Sequence, residues 1–301
     1  MATLYTQAEA NIRKTWFYLA GFFLLIMMLG WALSYVFNNT AILTISILIS
    51  IGTSFFSYWY SDKIVLAMSQ AKLIEKQDNP ELYRLVENLC LTAGLPLPKI
   101  YIIDEAQPNA FATGRDPRHA VIAVTRGLLE KLERVELEGV IGHELSHIGN
   151  RDILLSTIVV ILTGVVIRIA DFFLRGGLRI RGSRSDREGG SLKLILFLFS
   201  ILFIILAPLF ATLLRLAISR KREFLADANG ALLTRFPDGL IRALEKISSD
   251  PHPLPVANSA TNHLYISDPT RGEQRTSWFN KLFMTHPPIE ERIKALRGLK
   301  L

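Results

Sequence analysis

A chain of 301 residues has room for one domain of ordinary size plus extra elements, or for two small ones. Half of its residues are hydrophobic, too many for an average soluble domain, and the excess is concentrated in blocks. The net charge of +7 raises nucleic acid as a partner, but no zinc finger, RNA-binding aromatic signature or isolated basic domain accompanies it, so none is expected.

Residues 16–37 form an uncharged run of 22, long enough to cross a bilayer core of about 30 Å as a helix. A second apolar run, 41–60, follows after only Asn38, Asn39 and Thr40. That spacing fits a membrane hairpin with a tight polar turn better than a cleaved signal peptide. Arg13 and Lys14 precede the first span and Asp62 and Lys63 follow the second, while the turn carries no charge. By the positive-inside tendency, the N-terminus and everything after Ser61 are expected in the cytoplasm, where excess Lys and Arg also meets anionic headgroups.

The polar stretch 61–152 comes next. Residues 80–93 have helical spacing, 99–104 and 120–125 read as strands, and helical character returns from Leu128. The single cysteine, Cys90, cannot form an intrachain disulfide, and its place in the helical stretch suits a small buried core residue. A third apolar block, 153–167, is uncharged for only 15 residues before Arg168 and Asp171, which are three apart and suited to pairing on one helical face. The fourth block, 194–214, is uncharged for 21 residues, with Pro208 inside it. Between these blocks, residues 175–190 carry five arginines and two acidic residues, which breaks the positive-inside tendency if the pair is a spanning hairpin. Either the first two spans dominate the orientation or the second hairpin only dips into the membrane; spanning is the reading adopted. The chain then ends with a loop-like composition, rich in Pro, Ser, Thr and Asn, over 250–278, and a charged helix with Pro288 at its first turn.

The informative segment is Val140-Ile-Gly-His143-Glu144-Leu-Ser-His147-Ile-Gly-Asn150-Arg-Asp152. Two histidines four apart on a helix share a face, so both imidazoles can reach one Zn²⁺, and Glu144 is placed to act as base on a water without ligating the metal. Taken alone, the pattern also suits a surface helix. Apolar flanks (Val140, Ile141, Leu145, Ile148) argue for burial, and two buried histidines around a buried glutamate are costly without a metal or partners. A catalytic zinc needs a third protein ligand. A third histidine six residues on is ruled out by Ile153. In Arg222-Glu223-Phe-Leu-Ala-Asp227, Glu223 and Asp227 share a helical face. Spacing leaves two roles for Glu223, third ligand or surface carboxylate paired with its basic neighbours; Asp227 is a candidate to orient a ligating histidine.

These motifs, with Asn109-Ala110-Phe111-Ala112-Thr113-Gly114 before them and His286-Pro-Pro-Ile-Glu-Glu-Arg292 after, resemble the HtpX-type membrane zinc metalloproteases, relatives of the prenyl-protein endopeptidases, over nearly the whole chain. The resemblance implies a mainly α membrane protein: two transmembrane hairpins plus a cytoplasmic α+β gluzincin-type domain with a small β-sheet. Residues 1–60 would form the first hairpin, 61–152 and 219–301 the peptidase domain, and 153–218 a second hairpin inserted in it. It implies Glu223 as third ligand, one Zn²⁺ per chain, unfolded or membrane proteins as substrates, and a role in quality control and stress response at the bacterial inner membrane.

Asn109, Ala110, Phe111 and Ala112 are candidates for a sheet edge that holds substrate as an added strand, with Asn109 also bonding its backbone; a hairpin turn is the alternative. For the oxyanion, His286 and Tyr265 are candidate donors. His119, His252 and His263 lie in polar, loop-like surroundings. A prenyl-protein-type endopeptidase and a non-catalytic zinc-stabilised scaffold are the competing readings; the small number of spans argues against the first, and Glu144 against the second. The oligomeric state is left open.

Overall fold

The computed structural model describes residues 4–181, 220–257, 261–267 and 287–299. The fourth apolar block, His286, Ser219 and most of the arginine-rich stretch fall outside them, as do the side chains of His263 and Asp171 and hence the expected Arg168–Asp171 pair.

Helices α1 (Leu4–Val36) and α2 (Thr40–Trp59) form the expected hairpin. The turn between them is made by Asn38, in the left-handed region at φ 48°, and by Asn39, whose side-chain oxygen accepts from Ala41 N and caps α2. The helices approach closely at Gly30, where an added Cβ would lie 2.3 Å from Ser46 Cβ. Both are long and apolar enough to cross a membrane, yet only 28% and 11% of their most apolar windows are buried in protein. The large side chains left outward, among them Phe17, Leu24, Trp31, Leu48 and Phe55, suit a lipid surface.

A short helix α3 (Ser61–Met68) leads into a four-stranded sheet. The strands are β1 (Lys72–Leu73), β2 (Lys99–Ile103), β3 (Ala110–Gly114) and β4 (Ala120–Thr125), in the order β1-β2-β4-β3. β2 and β4 run parallel, joined in register from Lys99 opposite Val121 to Ile103 opposite Thr125; both other pairings are antiparallel. Among the described residues the 110–114 segment is thus an edge strand rather than a hairpin turn; the chain reverses beyond it at 117–119.

One face of this sheet packs on α4 (Pro80–Ala93) and α6 (Arg134–Gly149), reached through the short α5 (Arg126–Lys131). α4 matches the sequence reading because its signals are complete: Asn79 accepts from Leu82 N at the start, Pro80 stands in the first turn, and Gly94 ends it at φ 66°. Leu82, Leu85, Val86, Leu89 and Cys90 form its buried face. Burial raises the Cys90 thiol to about 11.

After α6 the chain bends by 82° into α7 (Asp152–Arg181). Arg151 makes this corner in the left-handed region at φ 56°, a conformation a non-glycine residue adopts at some cost. α7 is one continuous helix through Arg168, and its Leu154, Ile158, Leu162 and Val166 pack with Leu19, Phe22 and Ile26 of α1. Helices α8 (Arg220–Thr234), α9 (Pro237–Ser249) and α10 (Ile289–Arg297) close the domain around α6. α6 touches them backbone to backbone: an added Cβ on Gly139 would lie 2.6 Å from Leu240 N, and one on Gly230 would lie 2.8 Å from His143 N.

Candidate metal centre

Helix α6 carries His143, Glu144 and His147 through the middle of the domain, and its buried face leaves His143 and Glu144 only 1% and 2% exposed. The close α6–α8 crossing at Gly142 and Gly230 brings Glu223, in the first turn of α8, over the two histidines. Nε2 of His143 and Nε2 of His147 are 3.1 Å apart, and the Glu223 carboxylate oxygens lie 3.8 and 3.6 Å from them respectively. Four-coordinate Zn²⁺ with bonds of about 2.0–2.2 Å holds neighbouring ligand atoms about 3.3–3.5 Å apart, so this donor set fits such an ion.

The opposite ring nitrogens explain why these faces converge. His143 Nδ1 lies 2.9 Å from Asp227 Oδ1, and His147 Nδ1 lies 3.1 Å from Asp152 Oδ2. A carboxylate at each Nδ1 fixes the proton there, so both Nε2 lone pairs point at one spot beside a third carboxylate. Two such acceptors facing each other without a shared proton repel, and a cation between them removes the repulsion.

Each orienting carboxylate is itself held. Asp227 receives Arg292 through Nε at 2.8 Å and Nη2 at 2.6 Å, while Arg292 Nη1 donates to Ile266 O at 2.8 Å. Burial pushes the Asp227 carboxyl up, but the charge and hydrogen bonds of Arg292, with His143, hold it at about 2. Arg292 is fully buried in a helix whose other charged residues, such as Glu290 and Lys294, are exposed. Charge spacing along 289–297 gives no hint of this, and only its place as the last residue of the 286–292 motif marks Arg292. Asp152 has the same status; the tight corner at Asn150–Arg151 turns its carboxylate back onto His147 and Arg222 Nη1 donates to its Oδ1 at 3.0 Å.

Glu144 points into the cavity beside the three ligand candidates. Burial raises its pKa; the charges of His143, His147 and Arg292 oppose that rise, and Glu223 adds to it. Ala112, Ile153, Ser156, Leu264 and Ile266 also border the cavity. Edge strand β3 therefore runs past the site, but its four candidate residues are placed differently. Ala112 faces the cavity, whereas Phe111 turns to the other side and stands edge-on to Tyr265 at 5.1 Å between ring centroids. Asn109 is buried with its carboxamide committed to the chain itself: Nδ2 donates to Ser267 O at 3.0 Å and Oδ1 accepts from Ala110 N at 3.1 Å. Ala110 O accepts from Ile266 N at 2.9 Å, so residues 264–267 lie along the upstream part of that edge.

Tyr265 requires a correction. Its side chain is fully buried, and its hydroxyl donates to Ser69 Oγ at 3.3 Å on the far side of β3, because alternation along the segment turns Leu264 and Ile266 towards the cavity instead. It cannot serve an oxyanion. His119 and His252 are exposed and paired with Asp116 and Asp250. Residue 286 lies outside the described residues.

Residues 76–300 match peptidase family M48. A "Protease HtpX homolog" from Thermoanaerobacter pseudethanolicus is 44% identical over 304 residues, covering 99% of each chain. One from Streptococcus gordonii is 44% identical over 302 residues, covering 98% of this chain and all of its own. The crystal structure of S. mikatae Ste24p shares the fold, with a TM-score of 0.50 at 18% identity, covering 97% of this chain and 66% of that one. With two apolar helices able to span a bilayer and a peptidase match over most of its length, the chain belongs to family M48, as a membrane metalloprotease of the HtpX type.

Proposed function

We propose that the protein is a zinc-dependent endopeptidase that cuts membrane or misfolded proteins, with one Zn²⁺ per chain held by His143, His147 and Glu223. The observation that carries this reading is the pair of Nε2 atoms 3.1 Å apart, each imidazole fixed from behind by a carboxylate, with Glu223 across from both and Glu144 beside them. When bound, Zn²⁺ supplies a Lewis acid that acidifies water and polarises a carbonyl. Everything else is done by the chain.

Glu144 takes the proton of the attacking water and passes it to the leaving amine. Burial raises its pKa, so the carboxylate that takes the proton holds it more readily for return to the amine. Substrate lies along β3 as an added strand. Thr125 N donates to Asn109 O and Ile266 N to Ala110 O, so consecutive carbonyls point to opposite sides and Ala112 shares the outward side with Ala110. The Ala112 amide and carbonyl are thereby offered to a peptide backbone at the cavity wall, which gives affinity with little side-chain preference. Asn109 serves this edge indirectly, by holding Ser267 and with it the segment that ends the free edge.

The α1–α2 hairpin and α7 flank the site, so the substrates are membrane proteins and unfolded chains near the bilayer. The domain faces the cytoplasm of a bacterial cell, with 153–218 as a second hairpin, and the activity serves protein quality control. The test is cleavage by protein purified under chelator and then given zinc. A single-span membrane protein with an unfolded cytoplasmic segment is cut in that segment only after zinc is added. Zinc-loaded protein that cuts neither this substrate nor a soluble unfolded one sinks the reading and leaves a zinc-stabilised scaffold.

A further inference from the structure

The hydrogen-bond chain behind His147 does not end inside the peptidase fold. Asp152 Oδ2 faces His147, and its other oxygen, Oδ1, accepts from Arg222 and also from Asn11 Nδ2 at 2.7 Å. The same Asn11 amide nitrogen donates to Asn150 O at 3.1 Å. Both of its hydrogens therefore go to the corner that joins α6 to α7. Asn11 belongs to α1, at the polar end before the apolar run, more than 130 residues away in sequence. It is 3% exposed, and Thr15 one turn on is 1% exposed with its hydroxyl donated to Asn11 O.

Anchoring the corner through Asn150 O accounts for one of the two donated hydrogens and leaves the one to Asp152 to be explained. An aliphatic side chain would take this donor from both Asn150 O and Asp152, and a buried amide needs partners for its polar atoms. What the carboxamide does supply is a neutral donor to Asp152. With Arg222 it fixes the carboxylate from one side, leaving the other oxygen directed at His147. We propose that Asn11 is a positioning residue of the metal centre, holding the His147 imidazole in place through Asp152, so that the first membrane helix forms part of the site's support. The inference rests on the zinc reading of the site, but its test does not depend on peptidase activity.

Without the Asn11 donor, Asp152 is free to turn towards Arg222, and its bond to His147 lengthens. Loss of a group bonded directly to a ligand costs about 10–100-fold in metal affinity, which sets the upper bound for Asn11, one bond further out. The experiment uses the full chain in lipid nanodiscs, comparing the parent with Asn11→Leu and Asn11→Asp. The second keeps the shape but sets an acceptor against Asp152. Thr15→Val controls for packing of the same helix. Zinc affinity is read by chelator competition and ligand geometry by the visible spectrum of the cobalt-substituted protein; kcat and KM are measured separately. Both Asn11 variants are expected to weaken zinc several-fold, up to about 100-fold, shift the cobalt bands and lower kcat more than KM, while Thr15→Val does none of these. Zinc affinity within about two-fold of the parent and an unshifted spectrum in both Asn11 variants would overturn the proposal, whatever their melting behaviour. An equal loss in Thr15→Val would do so too, because it marks general packing. If zinc affinity follows Asn11 while no form cleaves protein, this inference stands and the peptidase reading falls.

Discussion

Replacing Arg292 by methionine removes the most completely buried charge among the described side chains from a position with three hydrogen bonds to protein acceptors. Methionine fills much of the space, so the effect is electrostatic rather than a cavity. Asp227 is then a carboxylate that is 1% exposed with only His143 beside it, and Ile266 O loses its donor. Breaking one side of a buried ion pair costs about 3–5 kcal/mol, which for a chain of this size lowers the melting temperature by about 10 °C. The pH dependence separates this from simple loss of packing. The Asp227 carboxyl sits at about 2 in the folded protein, below the ordinary value of 3.8. A depressed carboxyl contributes stability that is complete above its unfolded pKa and is lost as pH falls through the folded one. From about 1.4 kcal/mol per pH unit, the parent should lose roughly 2–3 kcal/mol of its advantage over Arg292→Met between pH 5 and pH 2. Arg292→Lys offers a single point charge in place of a fork and should recover part of the stability only. The assay is thermal unfolding of the metal-free, detergent-solubilised protein across that pH range. Melting of Arg292→Met within 2 °C of the parent at pH 7, or a gap that does not narrow in acid, refutes the reasoning.

Three further outcomes follow from particular contacts. Gly230→Ala should force α8 off α6, since its Cβ would meet His143 N at 2.8 Å; zinc affinity, measured by chelator competition, should fall at least ten-fold even though no ligand is changed. Glu223→Ala should release zinc at chelator concentrations the parent withstands while circular dichroism keeps its helical signal; unchanged affinity would place the third ligand elsewhere. The Cys90 thiol, raised to about 11 by burial, should resist a thiol reagent at pH 8 in the native protein and react fully once the chain is unfolded in denaturant.

Much of this architecture is legible in the sequence because its signals are local. Asn79, Pro80 and Gly94 bracket α4, the uncharged run and the Asn38–Asn39 turn mark the α1–α2 hairpin, and the four-residue spacings place His143 with His147 and Glu223 with Asp227 on shared faces. What the sequence hides depends on distant partners. Arg292 lies among exposed charges, and only the fold shows that its face of α10 is buried against Asp227. Asn11 looks like an ordinary polar residue before a span, and its bond to Asp152 joins segments 141 residues apart. Tyr265 shows the reverse error. A hydroxyl in a segment able to fold over the cleft suggests chemistry, but the alternation of Leu264, Tyr265 and Ile266 sends it to the other side of β3. The 110–114 strand was ambiguous for a related reason: a short segment with Gly114 at its end reads equally as edge or turn until its pairing with β4 is known.

The most direct test of the central claim is Glu144→Gln in the zinc-loaded protein. Glutamine preserves the shape of a side chain that is 2% exposed but cannot accept the proton of water. Zinc content should stay at the parent's level, while cleavage of an unfolded substrate falls by about 10²–10⁴-fold. Cleavage that persists near the parent's rate with zinc in place would contradict the account, since the proton would then be going somewhere other than Glu144.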